Sequence, residues 1–152
     1  MALKFSTGLV DAIRTDKSFK ESVEGAAAAG FFIDIYTGTR PATPDDSATG
    51  TKLARFTAAA GAKMHFAAAS VGGVIAKAAA ESWAATGLAN GAAGYFRLVT
   101  DSDDGSTTST TAVRVDGTIA VSGSDMDMTS TDVALGAPLL INSATFTMPK
   151  SA

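Results

Sequence analysis

Few residues of this chain are of a type and spacing that could do chemistry. His65 is the only histidine in 152 residues, so any arrangement built on an imidazole must use it. A general base needs a group to act on and a group to orient it. His65 sits between Met64 and Phe66 in a segment that reads as a strand, with no motif around it. It is therefore expected to be an ordinary strand side chain. Asp101-Ser102-Asp103-Asp104-Gly105 has the alternating oxygens and the glycine bend of the start of a calcium loop. The bidentate Glu that closes an EF-hand loop is missing, and so are the flanking helices. Asp101, Asp103 and Asp104 are weak candidates for a hard cation, and neither a metal nor another cofactor is expected. Asp125 and Asp127 alternate with Met126 and Met128. In a strand both carboxylates share one side, and the plain reading is a solvated face opposite a methionine-lined core. Paired carboxylates for glycoside hydrolysis need a sugar cleft lined with aromatics, and 8 Phe, 2 Tyr and 1 Trp supply few. No G-x-S-x-G, H-E-x-x-H, P-loop or G-x-G-x-x-G occurs, so no catalytic residue is assigned and a non-enzymatic protein is expected.

The elements that would position these residues fall into two groups. In residues 1–30, Leu9, Ala12 and Ile13 lie at helical spacing behind Ser6 or Thr7 as a cap, with Phe5 just upstream. Ser18 with Glu21 forms a capping box for a second helix, whose apolar face is Phe19, Val23 and Ala26–Ala27. Gly25 weakens that helix and Gly30 is a natural stop. From Phe31 the period becomes two. Strands are expected at 31–36, 53–57, 64–67 and 95–99, with a turn over Gly38–Asp46. The alanine density of 58–80 leaves strand and helix both open there. Residues 112–115 and 118–121 around Asp116-Gly117 read as a β-hairpin with a type I′ turn. Met126, Met128, Leu139, Ile141, Ala144, Phe146 and Met148 continue the alternation, and Pro149 ends the last strand. The pattern predicts a mainly β protein: an antiparallel β-sandwich or jelly-roll-like domain over 31–152, preceded by a helical segment, 1–30, outside the β pattern.

Composition narrows the function. One domain fits the length. Thirty-one alanines and 15 glycines imply a thin core, and burying surface against a neighbouring subunit is one remedy. A homo-oligomer is therefore expected. Its contact residues would be Phe5, Leu9, Ile13 and Phe19 of the N-terminal segment, acting as an interaction arm, and Trp83 is read first as a core anchor and otherwise as a further interface anchor. The net charge is −3 without a clustered basic face, which argues against nucleic acid. Lys63, His65, Lys77 and Glu81 interrupt the alanine runs, so no membrane span fits. The absence of cysteine excludes disulfides.

Five segments carry a resemblance. In order, MALKFSTGLVDAIR, IDIYTGTRPATPDDSATGTKLARF, GVIAKAAAESWAATGLANGAAGYFRLV, TTAVRVDGTIAVSG and a Met-Thr-Ser-Thr stretch before the last strand resemble small virion structural proteins of tailed bacteriophages and prophages. The resemblance covers most of the chain through scaffold patterns. It implies a many-copy building block of the particle, made in the host cytoplasm and located in the virion. Its partners would be its own copies and other virion proteins such as the major capsid protein. A head decoration or cement subunit is the favoured expectation, and a tail, collar or fibre-base subunit is the alternative. From another class comes a calcium-dependent receptor- or carbohydrate-binding module using the loop Asp101–Thr111.

Overall fold

The computed structural model describes residues 3–15, 17–25, 29–100 and 103–147. Ala26, Ala27, Asp101, Met148 and Pro149, which carry expectations above, lie outside them. Ser6 opens the first helix: its Oγ accepts the Leu9 N–H (3.2 Å), so α1 runs Thr7–Arg14. The capping box forms at Ser18 and Glu21, and α2 runs Phe19–Glu24. Gly25, at φ 75°, ends α2, so the stop comes at the residue expected only to weaken it.

The strands follow in chain order: β1 Lys4–Phe5, β2 Phe31–Thr37, β3 Lys52–Phe56, β4 Val74–Ala76, β5 Trp83–Thr86, β6 Gly91–Thr100, β7 Arg114–Ala120, β8 Met126–Asp127, β9 Asp132–Val133, β10 Pro138–Ile141 and β11 Thr145–Thr147. The protein is mainly β, with antiparallel sheets in a sandwich-like arrangement and two short helices at its N-terminal side. The main sheet runs β1-β7-β6-β2-β3, with β8 beside β7 and β9 beside β6. Two ribbons, β10–β5 and β11–β4, complete it. Between 58 and 80 the chain is largely irregular: a 3-10 turn at Ala59–Gly61, the short β4, and bridges Phe31↔Met64 and Phe66↔Lys77. The strand expected at 64–67 is reduced to those bridges.

One expectation is overturned. Asp116-Gly117 is not a hairpin turn but the middle of β7, paired along its length with β6. Tertiary packing overrides the local turn preference here. A Cβ on Gly117 would lie 2.3 Å from the Phe96 ring, so glycine lets that ring pack on the strand. Asp116 meanwhile pairs with Arg97 across the sheet.

Register fixes the two faces of the sheet. On the inner face Phe56, Ile33, Leu98, Val115 and Phe5 are neighbours in one row across β3, β2, β6, β7 and β1. The core above that row is aromatic. Phe19 touches Phe5, Phe66 and Phe146, and Phe66 in turn touches Phe31 and Trp83. The next residue of each strand belongs to the outer face. There Arg55, Asp34, Arg97, Asp116 and Lys4 form a row of alternating charge. Loops 38–50 and 103–113 lie over it.

The N-terminal segment is part of the same domain rather than a free arm. β1 pairs with β7, Leu9, Phe19 and Val23 are core residues, and the Glu24 carboxylate accepts the Phe66 N–H at 2.7 Å.

Candidate functional site

The acidic loop holds the weak candidates for binding a cation. Asp103 faces Arg114, with Oδ2 2.5 Å from Nε and Oδ1 2.9 Å from Nη2, and it also accepts the Gly105 N–H. Burial pushes its carboxyl up, but the Arg114 guanidinium and the Gly105 amide outweigh that and hold it below the usual carboxylate range. Asp104 turns the other way, onto the Ser106 N–H and hydroxyl. The two described carboxylates of this loop thus serve different partners, and Asp101 lies outside the described residues. Asp125 and Asp127 also separate. Asp125 accepts from the Thr118 N–H and hydroxyl, while Asp127 accepts from those of Ser124. Among the described residues no group of three or more His, Asp or Glu is placed to hold a metal ion.

His65 has the orienting group that the sequence did not reveal. Its Nδ1 is 2.7 Å from Glu81 Oε1, and its backbone N–H donates to Glu81 Oε2 at 2.9 Å. The Trp83 indole N–H donates to the same oxygen at 2.8 Å. Burial raises the Glu81 carboxyl, and these donors more than reverse it, so the group sits below the usual carboxylate range. The other ring nitrogen of His65 lies beside Gly30, where an added Cβ would come within 3.0 Å of Nε2. The arrangement ties the loop at 65 to the foot of β5 and supplies a partner for the indole of a fully buried Trp83.

The ionic row on the outer face is the constellation that residue types and spacing did not disclose. Arg97 and Asp116, both fully buried, pair through Nε–Oδ1 and Nη2–Oδ2, each 2.7 Å. The remaining nitrogen of Arg97 donates to the carbonyls of Asp46 (2.8 Å) and Gly105 (3.2 Å). Arg114 likewise reaches Pro44 and Thr107, and Lys4 reaches Ala42. Asp34 holds Arg55 through two contacts of 2.6 Å and Lys52 at 2.7 Å. Tyr36 and Tyr95 stack beside the row, 5.1 Å between centroids, and burial pushes both phenols up. Chemically the row is a fastening. Its cations neutralise the sheet's carboxylates and bind the carbonyls of the proline-containing loop that crosses above. The signal for it was an Arg or Asp at the outward position of consecutive strands, readable only once register is known.

Of the expected contact residues, Leu9, Phe19 and Trp83 are buried in the chain's own core and have no surface to offer a neighbour. Phe5 and Ile13 are half-buried against the same core. Apolar groups do face solvent elsewhere: Val71, Leu88, Val121, Leu135 and Leu140 are more than half exposed. Three of them border the β5–β10 ribbon. Ala84 and Thr86 pair with Leu140 and Pro138 on its outer side, and Leu88 and Leu135 lie in the loops at its end. A crevice of about 840 Å³ opens between the sheet and the C-terminal segment, floored by Ile33, Phe56 and Phe96. Among the described residues no helix is long and apolar enough to cross a membrane. No protein-family model, no curated protein and no solved structure matches the chain.

Proposed function

We propose that this chain is a non-enzymatic structural subunit of a phage particle, a decoration or cement protein of the head that works by contacts with its own copies and with the shell. The observation that carries the reading is how the side chains are allocated. Ions that could do chemistry lie inside or at the foot of loops, occupied with one another and with carbonyls. What the β5–β10 side turns outward is Leu88, Leu135 and Leu140, apolar groups suited to contact. The likeness of five segments to small virion proteins supplies the particle. Copies of one subunit on a symmetric shell need only a modest interface each, because the shell repeats it.

The test is mass-spectrometric copy number in purified particles. Hundreds of copies, released while the shell stays intact, are expected of a cement protein. A few dozen copies travelling with tails would move the subunit to the tail, collar or fibre base. Absence from particles would end the virion reading.

A further inference from the structure

The main sheet does not stop at β3. Thr57 and Ala84 exchange both backbone hydrogen bonds at 2.9 Å, and the Leu88 N–H donates to the Leu53 carbonyl at 2.7 Å. β5 therefore continues the sheet beyond β3, and β10 continues it beyond β5. Among the described residues β10 is the edge strand on that side.

The alternation of an antiparallel ladder says which groups of β10 are unused. Ala84 directs its N–H and C=O at β3, so Trp83 and Ala85 direct theirs at β10. The Gly87 N–H, which donates to the Ala137 carbonyl at 2.8 Å, keeps the same phase. Opposite them, Leu139 and Ile141 face β5. The N–H and C=O of Leu140, and the C=O of Pro138, then point away from the sheet, and no described residue accepts or donates there. Pro138 fits this phase, since its missing N–H falls on the open side, where proline costs the ladder nothing. Native edges are commonly blunted by a charged side chain. Pro138-Leu139-Leu140-Ile141 has none, and the facing strand Trp83-Ala84-Ala85-Thr86 has none either.

We propose that the β10 edge pairs with the β10 edge of a second copy of this chain, antiparallel about a two-fold axis at Leu140. The proposal names the self-contact of the structural subunit inferred above and in that respect rests on that reading. An open row of N–H and C=O groups takes an extended strand. A second copy fits because a two-fold axis sets every residue against its own surroundings, where a charge would meet its like. This strip of the chain carries no charge to repel its copy. Placing the axis at Leu140 preserves the faces: Leu140 stands opposite Leu140 on the outer side, and Leu139 opposite Ile141 on the inner side. The two Leu140 residues then exchange both of their backbone hydrogen bonds, and the sheets of two copies become one. A four-residue edge buries well under the roughly 1,600 Å² of a standard interface. The isolated pair is therefore weak, with dissociation in the micromolar range or above, and repetition on a particle strengthens it.

Sedimentation of the purified full chain between about 10 µM and 1 mM is the test, with amide exchange at Leu140 as the local readout. A concentration-dependent dimer is expected, in which the Leu140 amide exchanges slowly only at high concentration. Leu140→Pro removes an N–H that β5 does not use, so it should abolish the dimer while leaving the melting temperature within a few degrees. Leu140→Lys and Leu140→Asp should each be monomeric, and an equimolar mixture of the two should dimerise again. A wild-type chain that stays monomeric at 1 mM overturns the proposal. So does a dimer indifferent to Leu140→Pro, or a Lys/Asp mixture that remains monomeric. A monomer that still coats particles would discard the edge pairing and keep the proposed function. A dimer joined at Leu140 by a chain absent from particles would do the reverse.

Discussion

On the inner face of the sheet, Phe56, Ile33, Leu98, Val115 and Phe5 stand side by side; one position along each strand, on the outer face, stand Arg55, Asp34, Arg97, Asp116 and Lys4. The same five strands thus carry an apolar core on one side and an ionic layer on the other. The inner row is held by removal of apolar surface from water, which has no direction and scales with area. The outer row is held by ion pairs with fixed partners, Arg55 with Asp34 and Arg97 with Asp116, and by the donation of Arg97 and Lys4 to loop carbonyls. A methylene lost from the first leaves a small cavity. A carboxylate lost from the second leaves a cation buried without its counter-charge, along with the solvation cost that the pair had offset. Residues on the two faces of one sheet should therefore answer very differently to changes of similar size.

The largest expected effect is at Asp116. Asp116→Asn leaves the fully buried Arg97 guanidinium without its anion and should cost about 3–5 kcal/mol in urea denaturation. Ile33→Val, on the opposite face, should cost only about 1 kcal/mol. Replacing Arg97 and Asp116 together by Met and Leu should recover a large part of the Asp116→Asn loss, because no unpaired charge remains. If Asp116→Asn cost no more than Ile33→Val, the two faces would not differ in kind. The experiment also separates the strand from the hairpin expected at 116–117, since Asn-Gly suits a type I′ turn as well as Asp-Gly and would be close to neutral there.

That hairpin shows where sequence reading runs out. Strands at 31–36, 53–57 and 95–99 were legible because Ile33, Ile35 and their neighbours alternate, and the caps at Ser6 and Ser18 because their signals are local. Asp-Gly is also a local signal, but its residues answer to Arg97, nineteen positions away, and to the ring of Phe96. Helical spacing marked Leu9 and Phe19 as an apolar face and suggested a neighbouring subunit as its partner, whereas the chain's own strands cover it, because spacing within a helix carries no information on what packs against it. At the acidic loop Asp103 and Asp104 were visible as oxygen ligands. That Arg114, at the start of β7, occupies Asp103 was not, because the loop between them has no period to show which strand residue it meets. The edge at β10 was beyond reach for the same reason as the ionic row, since only register says which N–H groups face outward.

Acid offers a second, smaller probe of the outer face. The Asp103 carboxyl is held below its ordinary 3.8. Its contribution to stability is therefore complete above that unfolded value and lost as pH falls through the depressed folded value. The urea midpoint should decline as pH drops below about 4. Asp103→Asn should flatten the part of the decline due to this group, at the cost of a lower midpoint at pH 7. An unchanged acid slope in that variant would mean that Arg114 does not stabilise the Asp103 anion.

The smallest expected effect is none at all, and it decides between a fastening and a ligand loop. Both oxygens of Asp103 already serve Arg114, and Asp104 faces Ser106. A cation entering this loop would have to displace a guanidinium that also holds the carbonyls of Pro44 and Thr107. Any ion that binds only the folded chain raises its melting temperature by linkage. With 5–10 mM calcium the melting temperature should stay within 1 °C of that measured in chelator. A rise of several degrees would mean that calcium gains ligands which outweigh the Arg114 pair. The loop of the outer face would then belong with a calcium-dependent binding module, and the ionic layer could no longer be read as purely structural.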